Sequence, residues 1–336
     1  MSERRKFMEG FEKKVRQTIR QYNLFKRQDK IAVAVSGGKD STVLLYILKK
    51  MGYNVEGITI DAVIGNYTKQ NLENLKEVCK KHDIKLHIVS FREEFGMSLC
   101  YMRSVLDEKA KARGKQKGKP NKYSSCMICG ILKRYLLNKY ARDLGFNYLA
   151  TGHNMDDEAQ SFMMNVFRND FSLGKRMGPI TGMKEQPGLV RRVKPLARTS
   201  EEDIKRYSQI MEFPVNYGIC PCSVNAYRRE YIKILDEFEK THPCVKNNIV
   251  KFQDQLKALA IEQGDDGQVS TCKNCGEPSN NELCRTCTLF EELNVNPDNP
   301  TIIPEDKDPG PDYPDAQAKE MCSPGEQEQF CISDQE

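Results

Sequence analysis

One stretch constrains the fold of this 336-residue chain more than any other: IAVAVSGGKDSTVLLYILKK, at residues 31–50. Its apolar start predicts a buried strand over 30–35, and its apolar end has the periodicity of a helix that reaches about residue 50. Between them, residues 36–41 form a short polar segment with two adjacent glycines, which predicts a tight turn. A glycine-rich turn that opens a helix exposes backbone N–H groups, so the stretch predicts a phosphate-binding loop.

This loop differs from the two commonest phosphate-binding motifs. A Walker A loop requires glycine at position 33, where this chain has valine, and Ser or Thr after the lysine, where it has Asp40. The G-x-G-x-x-G fingerprint of dinucleotide-binding folds is also missing from the sequence. The expected phosphate contacts come from glycine backbone, a lysine charge and two hydroxyls, namely Ser36, Gly37, Gly38, Lys39 and Ser41.

Short apolar strands alternate with helical segments along most of the chain, which predicts an α/β fold with a doubly wound parallel sheet. Further strands are predicted at 54–60, 84–90, 146–150 and 190–194, and helices at 3–27, 68–82, 126–144, 200–211 and 226–262. The expected organisation is an N-terminal helical segment (1–28), a nucleotide-binding domain (29–218) with a basic insertion (109–122), a helical segment (219–265), a cysteine module (266–291) and a disordered acidic tail (292–336).

The formal net charge of +5 hides a strong asymmetry. Residues 291–336 hold 13 acidic residues against Lys307 and Lys319, a net of −11, so residues 1–290 carry +16. A body this basic suits a polyanionic partner such as RNA. Residues 109–122 include seven basic residues with Gly and Pro, which predicts a mobile loop. No apolar run approaches the ~18 residues that span a bilayer, and the start has no apolar signal-peptide region, so we expect a cytoplasmic protein without membrane contact.

Thirteen cysteines in such a chain need a role other than disulfides, because the cytosol keeps thiols reduced. Cys126 and Cys129 open a predicted helix, whose N-terminus stabilises two thiolates that can bind one metal or cluster. The alternative for this pair is two buried apolar thiols. Cys220 and Cys222 offer further thiolates, and three ligands would leave one iron of a cubane cluster open.

The second cysteine group is compact in sequence, CKNCGEPSNNELCRTC at 272–287. Two C-x-x-C knuckles at this spacing can close a tetrahedral Zn2+ site. Because such a site has no open position, we predict structural zinc bound by Cys272, Cys275, Cys284 and Cys287.

Residues 36–41 match S-G-G-x-D-S, and there the chain resembles the PP-loop ATP pyrophosphatases of the adenine nucleotide alpha hydrolase-like fold. These enzymes cleave ATP between the α and β phosphates and transfer AMP to a substrate oxygen. Together with CMICGILKR, TGHNMDDEAQ and CPCSVNAYRR, the loop resembles the TtcA/TtuA family of iron–sulfur-dependent tRNA 2-thiolation enzymes over most of residues 20–290. The thiouridine branch, which includes the cytosolic wobble-uridine thiolases, is the most similar. Members of that branch commonly carry an N-terminal zinc module, but no cysteine precedes Cys79 here.

The resemblance implies a 4Fe-4S cluster held by Cys126, Cys129 and Cys220, with Cys222 as the competitor for the third place. It implies an ATP site with Lys133 beside the cluster, and Lys133 lies one helical turn from Cys129. The remaining ATP-site residues that it implies are Ala34, Val35, Ser36, Gly37, Gly38, Lys39, Asp40, Ser41, Ile60, Gly152 and Asp157.

Magnesium and the reaction follow from the same resemblance. Asp157 or Asp156 is expected to hold Mg2+ or the adenylated group. His153 receives no role, because a histidine at a strand end is as often packed as catalytic. The implied enzyme uses ATP to adenylate the C2 oxygen of a tRNA pyrimidine and replaces that oxygen with sulfur from cluster-bound sulfide, giving 2-thiouridine.

Several alternatives remain open at this point. Cytidine could be the thiolated base, the chain could be an AMP-forming ligase for a small molecule, or it could be a zinc-bearing RNA-binding protein without catalysis. The implied partners are tRNA, a second copy of the chain in a homodimer, and a sulfur donor: free sulfide, a desulfurase or a ubiquitin-like carrier.

Overall fold

The computed structural model describes residues 3–112, 123–182, 185–218, 220–223, 227–263, 270–296, 300–304 and 307–308. Five parallel strands form its central sheet, in the order β3-β2-β1-β4-β5. They are β1 (Lys30–Ala34), β2 (Asn54–Asp61), β3 (Leu86–Ser90), β4 (Tyr148–Thr151) and β5 (Arg191–Val193). The order of the strands reverses at β1, so a crevice opens between the carboxyl ends of β1 and β4. The predicted doubly wound α/β fold is confirmed.

Helices cover both faces of the sheet, and this is why β1 is apolar and buried throughout its centre. They are α1 (Glu3–Gln21), α2 (Lys39–Lys50), α3 (Gly65–Lys81), α4 (Phe91–Phe95), α5 (Leu99–Ala112), α6 (Ser125–Asp143), α7 (Met155–Phe167), α8 (Phe171–Gly174), α9 (Glu201–Ile210), α10 (Arg228–Thr241), α11 (Val245–Glu262) and α12 (Arg285–Leu293). Helices α1, α2 and α9 build the core on one face, and α5, α6 and α12 build it on the other. Strands β6 (Ser270–Thr271) and β7 (Pro278–Ser279) form a small antiparallel hairpin.

Most predicted elements are present with ends that differ by a few residues. The stretch predicted as one helix at 226–262 is two helices, because the chain turns at Cys244, whose φ is +78°. Helices α4 and α5 were not predicted. Residues 109–112 of the predicted basic loop belong to the last turn of α5, and 113–122 lie outside the described residues.

The acidic tail begins later than predicted and is packed where the structure describes it. Helix α12 continues to Leu293, and the Ile303 amide donates to the Gly96 carbonyl at 2.8 Å. The buried Asp308 carboxylate accepts a hydrogen bond from the Ser98 amide at 2.8 Å and lies 3.2 Å from Arg92 Nη2. Residues 300–304 and 307–308 therefore bind the turn between α4 and α5, while 309–336 lie outside the described residues. Among the described helices, none is long and apolar enough to cross a membrane.

Candidate functional site

The glycine-rich segment lies in the crevice between β1 and β4. Gly37 has φ +78°, and Gly38 precedes the first turn of α2 without providing a side-chain cap for it. The Ser41 hydroxyl accepts a hydrogen bond from the Ser36 amide at 3.1 Å and donates one to the Gly38 carbonyl at 3.2 Å. The loop is thus closed by its own hydrogen bonds, and no side chain caps the start of α2, which suits a phosphate-binding helix end.

The carboxyl end of β4 packs directly on this loop. A Cβ atom at Gly152 would lie 2.8 Å from the Ser41 amide nitrogen, so only glycine fits there without displacement. Asn154 begins α7 with a capping box that includes Asp157. Its side-chain nitrogen Nδ2 also donates a hydrogen bond to Asp40 Oδ1 at 3.0 Å. The predicted residues Gly152 and Asp157 therefore lie beside the phosphate loop.

Two carboxylates face each other in this crevice. Burial raises the pKa of Asp157, although the charge of Arg228, 2.9 Å from its Oδ1, opposes the rise. Burial also raises the pKa of Asp40, which Lys39 opposes from 3.0 Å. Such a pair favours a bound cation. Asp156 forms an ion pair of 2.5 Å with Lys246 on the side of α11.

The cysteines predicted for the cluster converge at the start of α6. Ser124 caps this helix, Cys126 is exposed and Cys129 is half-buried one turn later. The Cys126 thiol donates to the Cys222 carbonyl at 3.4 Å. Burial raises the pKa of the Cys129 thiol, with Cys220 raising it further. The structure therefore brings the C-x-x-C pair and the CPC segment together although about 90 residues separate them in the chain.

Lys133 lies among these thiols. It hydrogen-bonds Cys129, and its positive charge lowers the pKa of that thiol against the effect of burial. Four predicted residues thus lie near the N-terminal end of α6, which are Cys126, Cys129, Lys133 and Cys220.

Tyr67 and Asn71 connect the two halves of the site, and the sequence analysis did not identify either. Burial raises the pKa of Tyr67, with a further increase from the charge of Cys220, and its hydroxyl is hydrogen-bonded to the Asn71 side chain. The Asn71 carbonyl oxygen lies only 2.5 Å from where a Cβ of Gly37 would be. Helix α3 therefore contacts the phosphate loop with one turn and lies within electrostatic range of Cys220 with the preceding turn.

The third group of chemical interest is the C-terminal cysteine module. The sulfur atoms of Cys272, Cys275, Cys284 and Cys287 all lie within 4.8 Å of one another. Backbone amides support them, since the Cys284 amide donates to Cys272 Sγ at 3.2 Å. Four clustered, largely buried thiols fit a closed tetrahedral site for a thiophilic ion such as Zn2+.

This geometry agrees with similarities to known proteins. Residues 29–175 match the family described as tRNA methyl transferase HUP domain. The chain is 33% identical over 284 residues to the tRNA-5-methyluridine(54) 2-sulfurtransferase of Pyrococcus horikoshii, which covers 84% of this chain and 86% of that protein. It is 34% identical over 296 residues to Cytoplasmic tRNA 2-thiolation protein 1 of Drosophila melanogaster, with coverages of 86% and 81%.

A solved structure resembles the chain over its fold. The U34-tRNA thiolase NcsA from Methanococcus maripaludis, determined with its 4Fe-4S cluster, gives a TM-score of 0.69 at 28% identity and covers 86% of this chain and 89% of that one. The chain belongs to the PP-loop family of tRNA 2-thiolation enzymes.

Three residues that the resemblance assigns to the nucleotide site of this tRNA 2-thiolation enzyme lie at the ends of strands. Ala34 ends β1, the Val35 amide donates to the Ile58 carbonyl at 2.9 Å, and the buried Ile60 lies near the end of β2. All three lie at the carboxyl edge of the sheet, the edge where nucleotides bind in open α/β folds.

His153 and Arg228 are two further residues at this edge. His153 is exposed, and its ring is hydrogen-bonded to Thr151 Oγ1 at 2.9 Å. Arg228 belongs to the NAYRR segment and bonds both Asp157 and Gln160. The sequence motif included Arg228, but only the fold shows that it contacts Asp157.

Gly37 provides a sharp test of the loop in this tRNA 2-thiolation enzyme. We expect Gly37→Ala to lower the affinity for ATP by at least about tenfold, or ~1.4 kcal/mol, because the new Cβ would lie 2.5 Å from the Asn71 carbonyl oxygen. Isothermal titration with ATP measures the effect. Gly145→Ala is the matched control, since Gly145 has a similar φ of +72° but no atom within 4 Å of the new Cβ. Equal ATP affinities in the two variants would contradict this account of the loop.

Proposed function

We propose that this enzyme replaces the C2 oxygen of a tRNA uridine by sulfur in an ATP-dependent reaction. The observation that carries the proposal is the connection through α3: Asn71 lies against Gly37 of the phosphate loop, and Tyr67, one turn earlier, is close enough to Cys220 for the charge of that thiol to raise the pKa of Tyr67. A site for splitting ATP and a site rich in thiols are thereby held next to each other. Such a pairing suits a reaction that first activates an oxygen and then displaces it.

The proposed reaction has two steps. The uridine C2 oxygen attacks the α-phosphate of ATP, and the bond to the β-phosphate breaks, so pyrophosphate leaves and the oxygen carries AMP. Hydrosulfide then attacks C2, the C2–oxygen bond breaks, and AMP leaves with the oxygen while a proton is released and the C2=S bond remains. No electron is gained or lost overall.

The residues of the crevice have separate tasks in the first step. The N–H groups of residues 37–41 hold the phosphates that leave as pyrophosphate. Asp157 and Asp40 are placed to bind Mg2+, which offsets the charge of the triphosphate. Lys133, beside Cys129, is placed to stabilise the negative charge on the α-phosphate during AMP transfer.

The thiols serve the second step. Cys126, Cys129 and Cys220 are the residues that would hold a 4Fe-4S cluster, and their sulfur donors fit iron. When bound by only three thiolates, such a cluster supplies an open iron that can hold sulfide. Cys129 and Cys220 interact electrostatically, and Lys133 keeps a positive charge beside them, which favours the thiolate form that metal binding requires.

The wider setting is part of the same proposal. The +16 charge of residues 1–290 suits tRNA, and affinity for tRNA should fall as salt is raised. We further propose structural Zn2+ in the C-terminal module, a homodimer, and a cytoplasmic site of action, as the name of the Drosophila melanogaster relative states for that protein. Free sulfide supplies the sulfur in vitro, and a desulfurase or a ubiquitin-like carrier would supply it in cells.

Anaerobic reconstitution tests the proposal. Enzyme loaded with iron and sulfide is incubated with unmodified tRNA, ATP, Mg2+ and sulfide, and nucleosides are analysed by mass spectrometry. We expect 2-thiouridine together with equal amounts of AMP and pyrophosphate, and no product with α,β-methylene-ATP. Nuclease mapping then decides between positions 34 and 54, which the names of the related proteins specify. Formation of 2-thiocytidine would support the cytidine alternative, and absence of any thionucleoside would refute the function.

A further inference from the structure

Three arginines lie together on the surface where α6, β5 and the cysteine module meet. They are Arg134 on α6, Arg192 on β5 and Arg285, the first residue of α12, and we call them the arginine cluster. Arg192 Nη2 donates to the Arg134 carbonyl at 3.1 Å, and Arg134 lies close enough to Arg285 to be repelled by its charge. Two parts of the chain that are far apart in sequence thus contribute to one positive patch.

This positive charge is not neutralised within the described part of the chain. None of the three guanidinium groups forms an ion pair with a described carboxylate. Within the cysteine module, the Glu277 carboxylate already binds Arg142 at 2.5 Å and Asn138 at 2.8 Å. Like charges held close together repel one another, so an anion supplied from outside would be bound favourably here.

The arginine cluster is also placed next to the proposed chemistry. Arg134 follows Cys129 by five residues and interacts electrostatically with that thiol. Arg192 interacts electrostatically with His153, which lies at the carboxyl end of β4 beside the crevice. Arg134 and Arg285 are exposed and Arg192 is half-buried, so the cluster is accessible to a large anion.

We propose that the arginine cluster binds phosphate groups of the RNA backbone next to the nucleotide that reacts, an inference that rests on the proposed function. Guanidinium groups bind phosphate oxygens through paired hydrogen bonds and so fix orientation as well as charge. ATP has its own phosphate site at residues 36–41, which leaves the cluster for a second anion. The three arginines are therefore positioning residues, and the folded cysteine module acts on the substrate by holding Arg285 in place.

Binding measurements with single variants test this inference. Arg134→Gln, Arg192→Gln and Arg285→Gln are compared with the unaltered enzyme in titrations of labelled tRNA over a series of salt concentrations. We expect each variant to bind tRNA several-fold more weakly and the slope of log affinity against log salt to shrink by about 0.7–0.9, the change for one lost phosphate contact. Arg192→Lys keeps the charge and should recover part of the affinity. Arg206→Gln, which removes an exposed arginine that lies over Phe7 at 4.3 Å, is the control and should bind as the unaltered enzyme does.

The outcomes separate this inference from the proposed function. Unchanged affinity and salt slope in all three variants, with an unaltered enzyme that binds and thiolates tRNA, would overturn the inference alone. An unaltered enzyme that does not bind tRNA would overturn both. Weaker binding of ATP with unchanged binding of tRNA would assign the cluster to the nucleotide and would also overturn it. Iron and zinc contents equal to those of the unaltered enzyme establish that each variant is folded.

Discussion

Replacing Cys220 by serine is expected to abolish iron binding and to lower the rate of tRNA thiolation by at least about 100-fold, whereas Cys222→Ser should keep both. Mutations of residues that only surround metal ligands lower metal affinity or activity by ~10–100-fold, so the loss of a ligand should lower them at least as much. The two cysteines differ in their contacts: Cys220 acts electrostatically on Cys129 and Tyr67, while Cys222 meets Cys126 through its backbone carbonyl. A serine at position 222 preserves that carbonyl.

The measurement is iron content and visible absorbance after anaerobic reconstitution, followed by the thiolation rate. Cys244→Ser is the matched control, because Cys244 is exposed and lies outside both cysteine groups. The opposite pattern, with iron lost in Cys222→Ser and retained in Cys220→Ser, would assign the third ligand to Cys222. Retention of iron in both variants would contradict a cluster held by the CPC segment.

Cys284→Ser is expected to release zinc and to unfold the C-terminal module. Structural zinc sites contribute ~10–16 kcal/mol in isolated zinc-finger peptides, more than the small hairpin and one helix could replace. Helix α12 starts directly after Cys284 and buries Leu289, Phe290 and Leu293 against the core of the domain. Loss of the metal should therefore expose part of that core as well as the module.

Zinc analysis and hydrogen exchange measure this effect. We expect one zinc ion per chain in the unaltered enzyme and in Cys244→Ser, and less than a tenth of that in Cys284→Ser. Amide protection of α12 should be lost while protection of β1 and β4 persists, because the sheet has its own core. A zinc-free variant with normal protection of α12 would show that packing alone holds the module together.

The parts of the site that could be predicted from sequence are those whose residues are close along the chain. The phosphate loop is one strand, one turn and one helix, so its residues and its structure are encoded together at 30–50. The four cysteines of the C-terminal module lie within sixteen residues and cluster as predicted. The pairing of Cys129 with Cys220 was expected from a family resemblance, because no local pattern brings two residues this far apart together.

Other parts of the site and of the fold depend on tertiary packing and have no signal in the local sequence. Tyr67 is an ordinary aromatic residue in the first turn of a helix, and its closeness to Cys220, which is far away in the sequence, depends on tertiary packing. The arginine cluster draws on three elements, so no single stretch of sequence shows it. The packed segment 300–304 looked disordered by composition, but its backbone satisfies hydrogen bonds that the turn at Gly96 leaves open.

Helix α3 also acts as a spacer of fixed length. Tyr67 and Asn71 are four residues apart, which places them on one helix face about 6 Å apart along the axis. One inserted residue between them would rotate Tyr67 by about 100° and separate it from Cys220 while leaving Asn71 at Gly37. The number of residues between Tyr67 and Asn71 therefore fixes the distance between the turn of α3 at the phosphate loop and the turn near Cys220. A chain with the same loop and cysteines but a different number of residues between these two positions would need another structural element to set that distance.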